Sequence, residues 1–290
     1  MTSACAVTRY LDCVSSCIVT EMGDAKTALI TGSTDGLGRQ LALRLAESGF
    51  AVLVHGRDRE RGEQVVSEIR SKGRTARFFE ADFASLSQVR AFSRQVMSEC
   101  TGLEILINNA GIGTGGRGGT RAMSVDGYEL RFAVNYLAGF LLTNLLLSRV
   151  SAGTRIVNVA SAGQYPLDFD NVMLTRAYSG MRAYAQSKLA QVMFTFDLAR
   201  QQAHSGAVVN CLHPASYMDT RMVREAGAIP ASTVEESARA VLHLAASPQS
   251  QTGLYFDGTQ PARAHDQAYD EDARSRLRVL SRELSGLGPE

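Results

Sequence analysis

The stretch Lys26-Thr27-Ala28-Leu29-Ile30-Thr31-Gly32-Ser33-Thr34-Asp35-Gly36-Leu37-Gly38 decides how the chain folds. Its first half is a short apolar run of strand length. Its second half carries glycines at positions 32, 36 and 38. Behind them Leu37, Leu41 and Leu45 recur at helical spacing until Gly49, which predicts an amphipathic helix. In this order of strand, glycine-rich turn and helix, the backbone can turn tightly and approach a pyrophosphate, which the helix N-terminus attracts. Three nearby glycines can also make an ordinary turn. The strand before them and the helix behind favour dinucleotide binding.

Working outward, Ala51 to Val54 reads as a second strand, apolar throughout as a strand buried on both faces should be. It runs into His55-Gly56-Arg57-Asp58, about 20 residues after the last glycine, where an acid would bind the ribose of NAD or an arginine the 2′-phosphate of NADP. Gly56 leaves space and Arg57 brings charge, so NADP(H) is expected ahead of NAD(H). Asp58 weighs against this unless it caps the helix expected over Arg59 to Ser71. A solvated loop cation is the plainer account of Arg57.

A third strand, Ala76 to Ala81, ends in Asp82-Phe83, and Ser85 opens a helix carrying Leu86, Val89, Phe92 and Val96. Glu104 to Ile107 is a fourth strand, followed by Asn108-Asn109-Ala110-Gly111. Small residues at a strand end let a ligand approach the backbone, and Asn side chains can hold that end. Gly113 to Gly119 is a glycine-rich loop beside the pocket. A helix from Asp126 to Val150 is apolar over much of its surface, which implies burial or an oligomer interface. Within it Asn135 stands among Phe132, Val134, Leu137 and Phe140 and needs hydrogen-bond partners or a function. Arg155 to Ala160 is a fifth strand with Ser161 at its C-terminal end, the edge where ligands bind in open α/β sheets. The long loop from Ala162 to Tyr178 is of functional length. Ala207 to Leu212 leads into His213-Pro214-Ala215, with Thr220 beyond. A helix over Thr233 to Ala246, a strand at Leu254 to Phe256 and a helix over Tyr269 to Leu284 complete the chain. The alternation predicts an α/β fold, a single Rossmann-type doubly wound parallel sheet of about seven strands with helices on both faces. It is expected to occupy residues 25–290 as one domain, with residues 1–24 a dispensable extension.

Ser179-Gly180-Met181-Arg182-Ala183-Tyr184-Ala185-Gln186-Ser187-Lys188 opens a further helix. Tyr184 and Lys188 lie one turn apart on one face. A phenol has a reference pKa of about 10 and is a poor acid at neutral pH. A nearby ammonium favours the phenolate and allows the tyrosine to give or take a proton. The chain holds only three lysines, Lys26, Lys72 and Lys188, so the pairing is not a by-product of a lysine-rich surface.

With 290 residues, 45% hydrophobic and 20% charged, the chain can bury a sizeable core. Lys plus Arg is 30 and Asp plus Glu 29, so no global field favours nucleic acid or an anionic membrane. No apolar run reaches the roughly 18–20 residues of a membrane span. Five cysteines without paired spacing and five histidines without ligand spacing argue against a disulfide framework and a metal site. A cytoplasmic location is expected.

Together, Thr31-Gly32-x-x-x-Gly36-x-Gly38, Asn108-Asn109-Ala110-Gly111, Asn135, Ser161 and Tyr184-x-x-x-Lys188 resemble a classical short-chain dehydrogenase/reductase, from Lys26 to about Leu287. Gln186-Ser187-Lys188-Leu189-Ala190, the long loop before Tyr184 and His213-Pro214 are most similar to the retinol dehydrogenase-like branch. The resemblance implies an oxidoreductase moving a hydride between NADP(H) and an alcohol or carbonyl substrate. In that reading Tyr184 is general acid/base and Ser161 hydrogen-bonds the reacting oxygen. Lys188 holds the nicotinamide ribose and lowers the Tyr184 pKa, and Asn135 completes a water-linked proton path. The cofactor would lie along Gly32, Ser33, Asp35, Gly36, Leu37 and Gly38. It would meet Arg57, Asp82 and Phe83 at one end, then Asn109, Ala110 and Gly111, and finally Tyr184, Lys188, Pro214, Ala215 and Thr220. Ala215 departs from the glycine usual after that proline. Tyr165, Phe169, Tyr217, Met218 and Met222 hint at an apolar small-molecule substrate. The apolar helices at 126–150 and 181–203 suggest a homodimer or homotetramer, with a monomer as the alternative. Two other functions share the pattern: an epimerase or dehydratase that recycles its cofactor, and a regulatory protein that binds NADP(H) without turnover.

Overall fold

The structure is a computed structural model that describes residues 26–115, 120–248 and 251–288. The expected extension at 1–24 and residues 116–119 of the glycine-rich loop lie outside these. One sheet of eight strands organises the molecule, in the order β3-β2-β1-β4-β5-β6-β7-β8. The strands are β1 (Thr27–Ile30), β2 (Ala51–Gly56), β3 (Ala76–Glu80), β4 (Ile105–Asn108), β5 (Arg155–Val159), β6 (Val208–His213), β7 (Tyr255–Asp257) and β8 (Gln260–Ala262). All pair in parallel except β8, which turns back antiparallel onto β7. The expected count of about seven is thus exceeded by a three-residue edge strand. Its Pro261 suits an edge, where no ladder hydrogen bond is asked of the missing N–H.

Helices α1 (Gly36–Glu47), α2 (Arg59–Ser71) and α3 (Leu86–Glu99) connect the first four strands. A π-helical turn (Phe132–Leu137) continues as α4 (Ala138–Leu146), and α5 (Gly180–Gln201) precedes β6. The short α6 (Arg221–Glu225), α7 (Val234–Ala246) and α8 (Glu271–Ser285) follow. Successive strand residues feed opposite cores: Ala28 and Ile30 pack with α1, α2 and α7, while Leu29 packs with α3, α4 and α5. This is the doubly wound arrangement, and the strand order reverses between β1 and β4.

Caps explain several boundaries. Asp58 does cap α2, its carboxylate accepting from Arg61 N. Thr233 and Glu236 form a reciprocal capping box at α7. The expected helix start at Asp126 is too early, because Ala122 to Leu130 folds back on itself and Asp126 is spent elsewhere. Its carboxylate accepts from Leu86 N, capping α3, where Ser85 makes no side-chain cap.

The apolar excess on the helices at 126–150 and 181–203, from which pairing of chains is expected, is covered from within. Helix α8 lies across α4 and α5. Arg278 grips the Asp197 carboxylate of α5 through both oxygens at 2.7 Å, and Tyr136 meets Ser281 at 2.6 Å. Asp197 is 5% exposed and shares its charge between Arg278 and the more exposed Arg200, 3.3 Å away. Replacing Arg278 with alanine leaves that buried carboxylate with the longer, exposed Arg200 pair alone, a loss of about 1–3 kcal/mol. Urea unfolding of Arg278→Ala should show a loss of that size, and an unchanged midpoint would refute the role given to α8.

Candidate active site

The site begins with two strand ends brought too close for side chains. Gly32 has φ +65°, and a Cβ placed on it would lie 2.8 Å from Ala110 Cα. A Cβ on Gly38 would collide with the Gly32 carbonyl. Across this gap Asn109 donates its amide hydrogens to the Thr31 carbonyl at 2.9 Å and the Gly32 carbonyl at 3.0 Å. Thr31 answers through its hydroxyl oxygen, which accepts from Asn109 N and Ala110 N, both at 3.0 Å. The result is a bare backbone cradle at the N-terminus of α1, shaped for a phosphate-bearing ligand. Leu37 is buried behind it, and Asp35 caps α1 while pairing with Arg61 at 3.0 Å.

His55 braces this cradle. Its Nδ1 accepts from Gly32 N at 3.1 Å, and its Nε2 lies 3.2 Å from the Ala81 carbonyl. That pattern fits the neutral ring carrying its proton on Nε2. Burial holds the pKa down to about 3, so the ring stays neutral throughout the physiological range. His55 is one of the five histidines without ligand spacing, and its legible signal in the sequence is a polar residue following an apolar strand. Ser33 turns inward as well, its hydroxyl donating to Ile30 O and accepting from His55 N. The Phe83 ring packs 4.3 Å from the His55 ring, so both side chains serve the turn from behind.

At the far end of β2, Arg57 is exposed and 3.9 Å from Asp82. A side chain on Gly56 would run into Thr34, so no acid could stand there without displacing it. The segment after β6 closes over the cradle: the Thr220 methyl approaches Gly36, and Met222 lies against Gly113. Pro214 is buried, and Ala215 is absent from the left-handed backbone positions, so glycine is not required there.

The reacting groups gather beside Gly111. The Ser161 side chain faces the Tyr184 phenol, and Gly163 N donates to Ser161 Oγ at 3.0 Å, which frees the serine proton. Lys188 Nζ stands 5.8 Å from the Tyr184 ring centre. A Cβ on Gly111 would lie 3.3 Å from Asn135 Oδ1 and 3.7 Å from Lys188 Nζ, so these converge on one small gap. Asn135 sits in the π turn, where the widened helix presents it to the Gly111 loop. It accepts from Ile112 N at 2.7 Å and donates to Ile112 O and Ser187 Oγ. Burial pushes the Tyr184 phenol up, with the Ser161 hydrogen bond opposing, and draws Lys188 down to about 7. The expected lowering of the phenol by the ammonium is not what decides here: desolvation raises it, and Ser161 is the group that opposes.

Two groups here escape the sequence reading. Gln191 accepts from Lys188 Nζ at 2.9 Å. Glu129 and Arg131, both buried, are joined by the Tyr178 hydroxyl, and Arg131 Nε donates to Gly113 O. They tie the loop at 113–115 to the loop before α5.

Residues 26–229 match the family model for short chain dehydrogenases. Retinol dehydrogenase 13 of Homo sapiens is 36% identical over 287 residues, covering 90% of this chain and 85% of that protein. Polyprenol dehydrogenase of Mus musculus is 34% identical, covering 91% and 84%. A short-chain dehydrogenase from Burkholderia cenocepacia, solved in complex with NADP, superimposes with a TM-score of 0.66 at 29% identity, covering 81% of this chain and 97% of that one. With the glycine cradle and the Ser161, Tyr184 and Lys188 cluster in the same molecule, these matches show that the chain belongs to the short-chain dehydrogenase family.

Proposed function

We propose that the chain is an NADP(H)-dependent oxidoreductase interconverting an apolar alcohol and its carbonyl compound, with Tyr184 as general acid/base. The observation that carries this reading is the convergence of Ser161, Tyr184 and Lys188 at the C-terminal edge of the sheet, beside a bare backbone cradle. The cradle fits a dinucleotide: Gly32, Gly36 and Gly38 leave room for phosphates at the start of α1. Arg57, exposed at the end of β2, would meet a 2′-phosphate, and Lys188 would hold the nicotinamide ribose. When bound, the nicotinamide supplies or takes up the hydride. Ser161 and Tyr184 would both hydrogen-bond the substrate oxygen, on which negative charge develops during reduction. The phenol, kept neutral by burial, is the form able to donate a proton to that oxygen. For oxidation the proton must return to the phenolate, which the Lys188 ammonium favours.

An apolar substrate is supported from two sides. The names of the relatives point to retinol and polyprenol, both long apolar alcohols. Tyr165, Met181, Tyr217 and Met222, on elements around the site, are large apolar side chains left exposed. No helix among the described residues is long and apolar enough to cross a membrane. The covering of α4 and α5 by α8 supports a monomer over a dimer or tetramer.

Three outcomes test this. Tyr184→Phe keeps the ring but removes the proton, so NADPH-dependent carbonyl reduction should fall about 10²- to 10⁴-fold with NADPH binding little changed; retained turnover would sink the mechanism. NADP(H) should bind more tightly than NAD(H) and lose that advantage in Arg57→Ala, whereas a native preference for NAD(H) would overturn the cofactor assignment. Sedimentation at tens of micromolar should show one species of monomer mass, and a stable dimer would contradict the part assigned to α8.

A further inference from the structure

We propose that Gln191 is a positioning residue for the proton-transfer site: its side-chain carbonyl holds the Lys188 ammonium beside Tyr184 and Gly111. The proposal rests on Tyr184 and Lys188 being the proton-transfer pair. Lys188 and Gln191 are three residues apart on α5 and so share a face. Lys188 Nζ donates to two acceptors, the Val159 carbonyl at 2.8 Å and Gln191 Oε1 at 2.9 Å. Lys188 is 5% exposed and Gln191 4%, so water cannot readily replace either bond. A lysine has three rotatable donors on a flexible stem, and two fixed acceptors leave the third N–H for the gap beside Gly111.

Gln191 is itself anchored. Its backbone carbonyl accepts from Thr195 Oγ1 at 2.7 Å, and Thr195 Oγ1 accepts from Asn158 Nδ2 at 2.8 Å. Asn158 Oδ1 accepts from Asn108 at 2.8 Å, so the chain of bonds crosses β5 and β4.

The neutrality of the amide is the functional point. Facing the ammonium are Tyr184 on its own helix, the Val159 carbonyl from the end of β5, and Gly111 with Asn135 beside it. Of these only Tyr184 titrates. Asp197, the one acid of α5, is tied to Arg278. With no carboxylate on it, Lys188 is shifted by burial alone, to about 7, where its charge responds to small changes in its acceptors. A carboxylate at position 191 would fix the ammonium there permanently and draw it from Tyr184.

The test follows Lys188 directly. With three lysines in the chain, ¹³Cε-lysine NMR gives a resolvable set, and Lys188→Met assigns the signal. In the cofactor-free protein, Gln191→Glu should raise the Lys188 midpoint by about 1–3 pH units. Gln191→Met should lower it by about one unit, since it removes an acceptor of the charged form. The pH profile of carbonyl reduction should move in the same directions. A Lys188 midpoint unmoved in both variants overturns the proposal, and should Gln191→Met fail to fold, the isosteric Gln191→Glu decides alone. The titration needs no turnover. A native protein that reduces no carbonyl would refute the proposed function, and the NMR result would still decide the coupling.

Discussion

The contact between the Gly32 turn and the Asn109–Ala110 strand end is the constraint on which the rest of the site depends. Strands β1 and β4 are neighbours at the place where the strand order reverses, so their carboxyl ends border a crevice. The crevice is usable only if the backbone on both sides is bare, and only glycine at 32 and 38 allows so close an approach. Asn109 and Thr31 then fill the hydrogen-bonding needs of the two ends with side chains, and His55 holds the turn from below. Each of these partners is supplied by a different strand. The cradle is therefore a property of the sheet's register.

The second half of the site is governed by burial. Tyr184 and Lys188 are set on one face of α5, and the apolar surroundings oppose charge on both. Desolvation raises the phenol above its ordinary value and lowers the ammonium to about 7, which moves the two acid constants apart. The phenol is thereby kept in the protonated form that can donate. Neutral acceptors, the Val159 carbonyl and the Gln191 amide, hold the lysine without cancelling its charge. The charged pairs that do occur close by, Asp197 with Arg278 and Glu129 with Arg131, are kept to structural tasks on either side.

Much of this could be read from the chain because its signals are local. Strands buried on both faces read as apolar runs, the turn demands glycines, and Tyr184 and Lys188 need only helical spacing. What could not be read depends on partners far away in sequence. His55 gains its role from Gly32 and Ala81, and Ser33 is turned inward by His55. Gln191 is only three residues from Lys188, but nothing in the sequence distinguishes it from any other polar residue on a buried helix. The π turn around Asn135 has no local pattern; it answers the need to reach Ile112 and Ser187 together. The early helix start at Asp126 fails because that carboxylate caps a different helix. Helix α8 packs along α4 and α5, a contact between distant segments that neither segment's own pattern announces.

The claim at the centre of this account is that the cradle and the Tyr184 cluster act together on one substrate oxygen and one neighbouring carbon. The most direct measurement is the fate of the label when NADPH deuterated at the transferred position is incubated with the protein and an apolar aldehyde or ketone. The account predicts deuterium on the carbon of the product alcohol, with NADP formed in equal amount. Product formed with the cofactor neither consumed nor stripped of its label would contradict it and point to internal recycling, and tight NADPH binding without any transfer would leave a binding protein in its place.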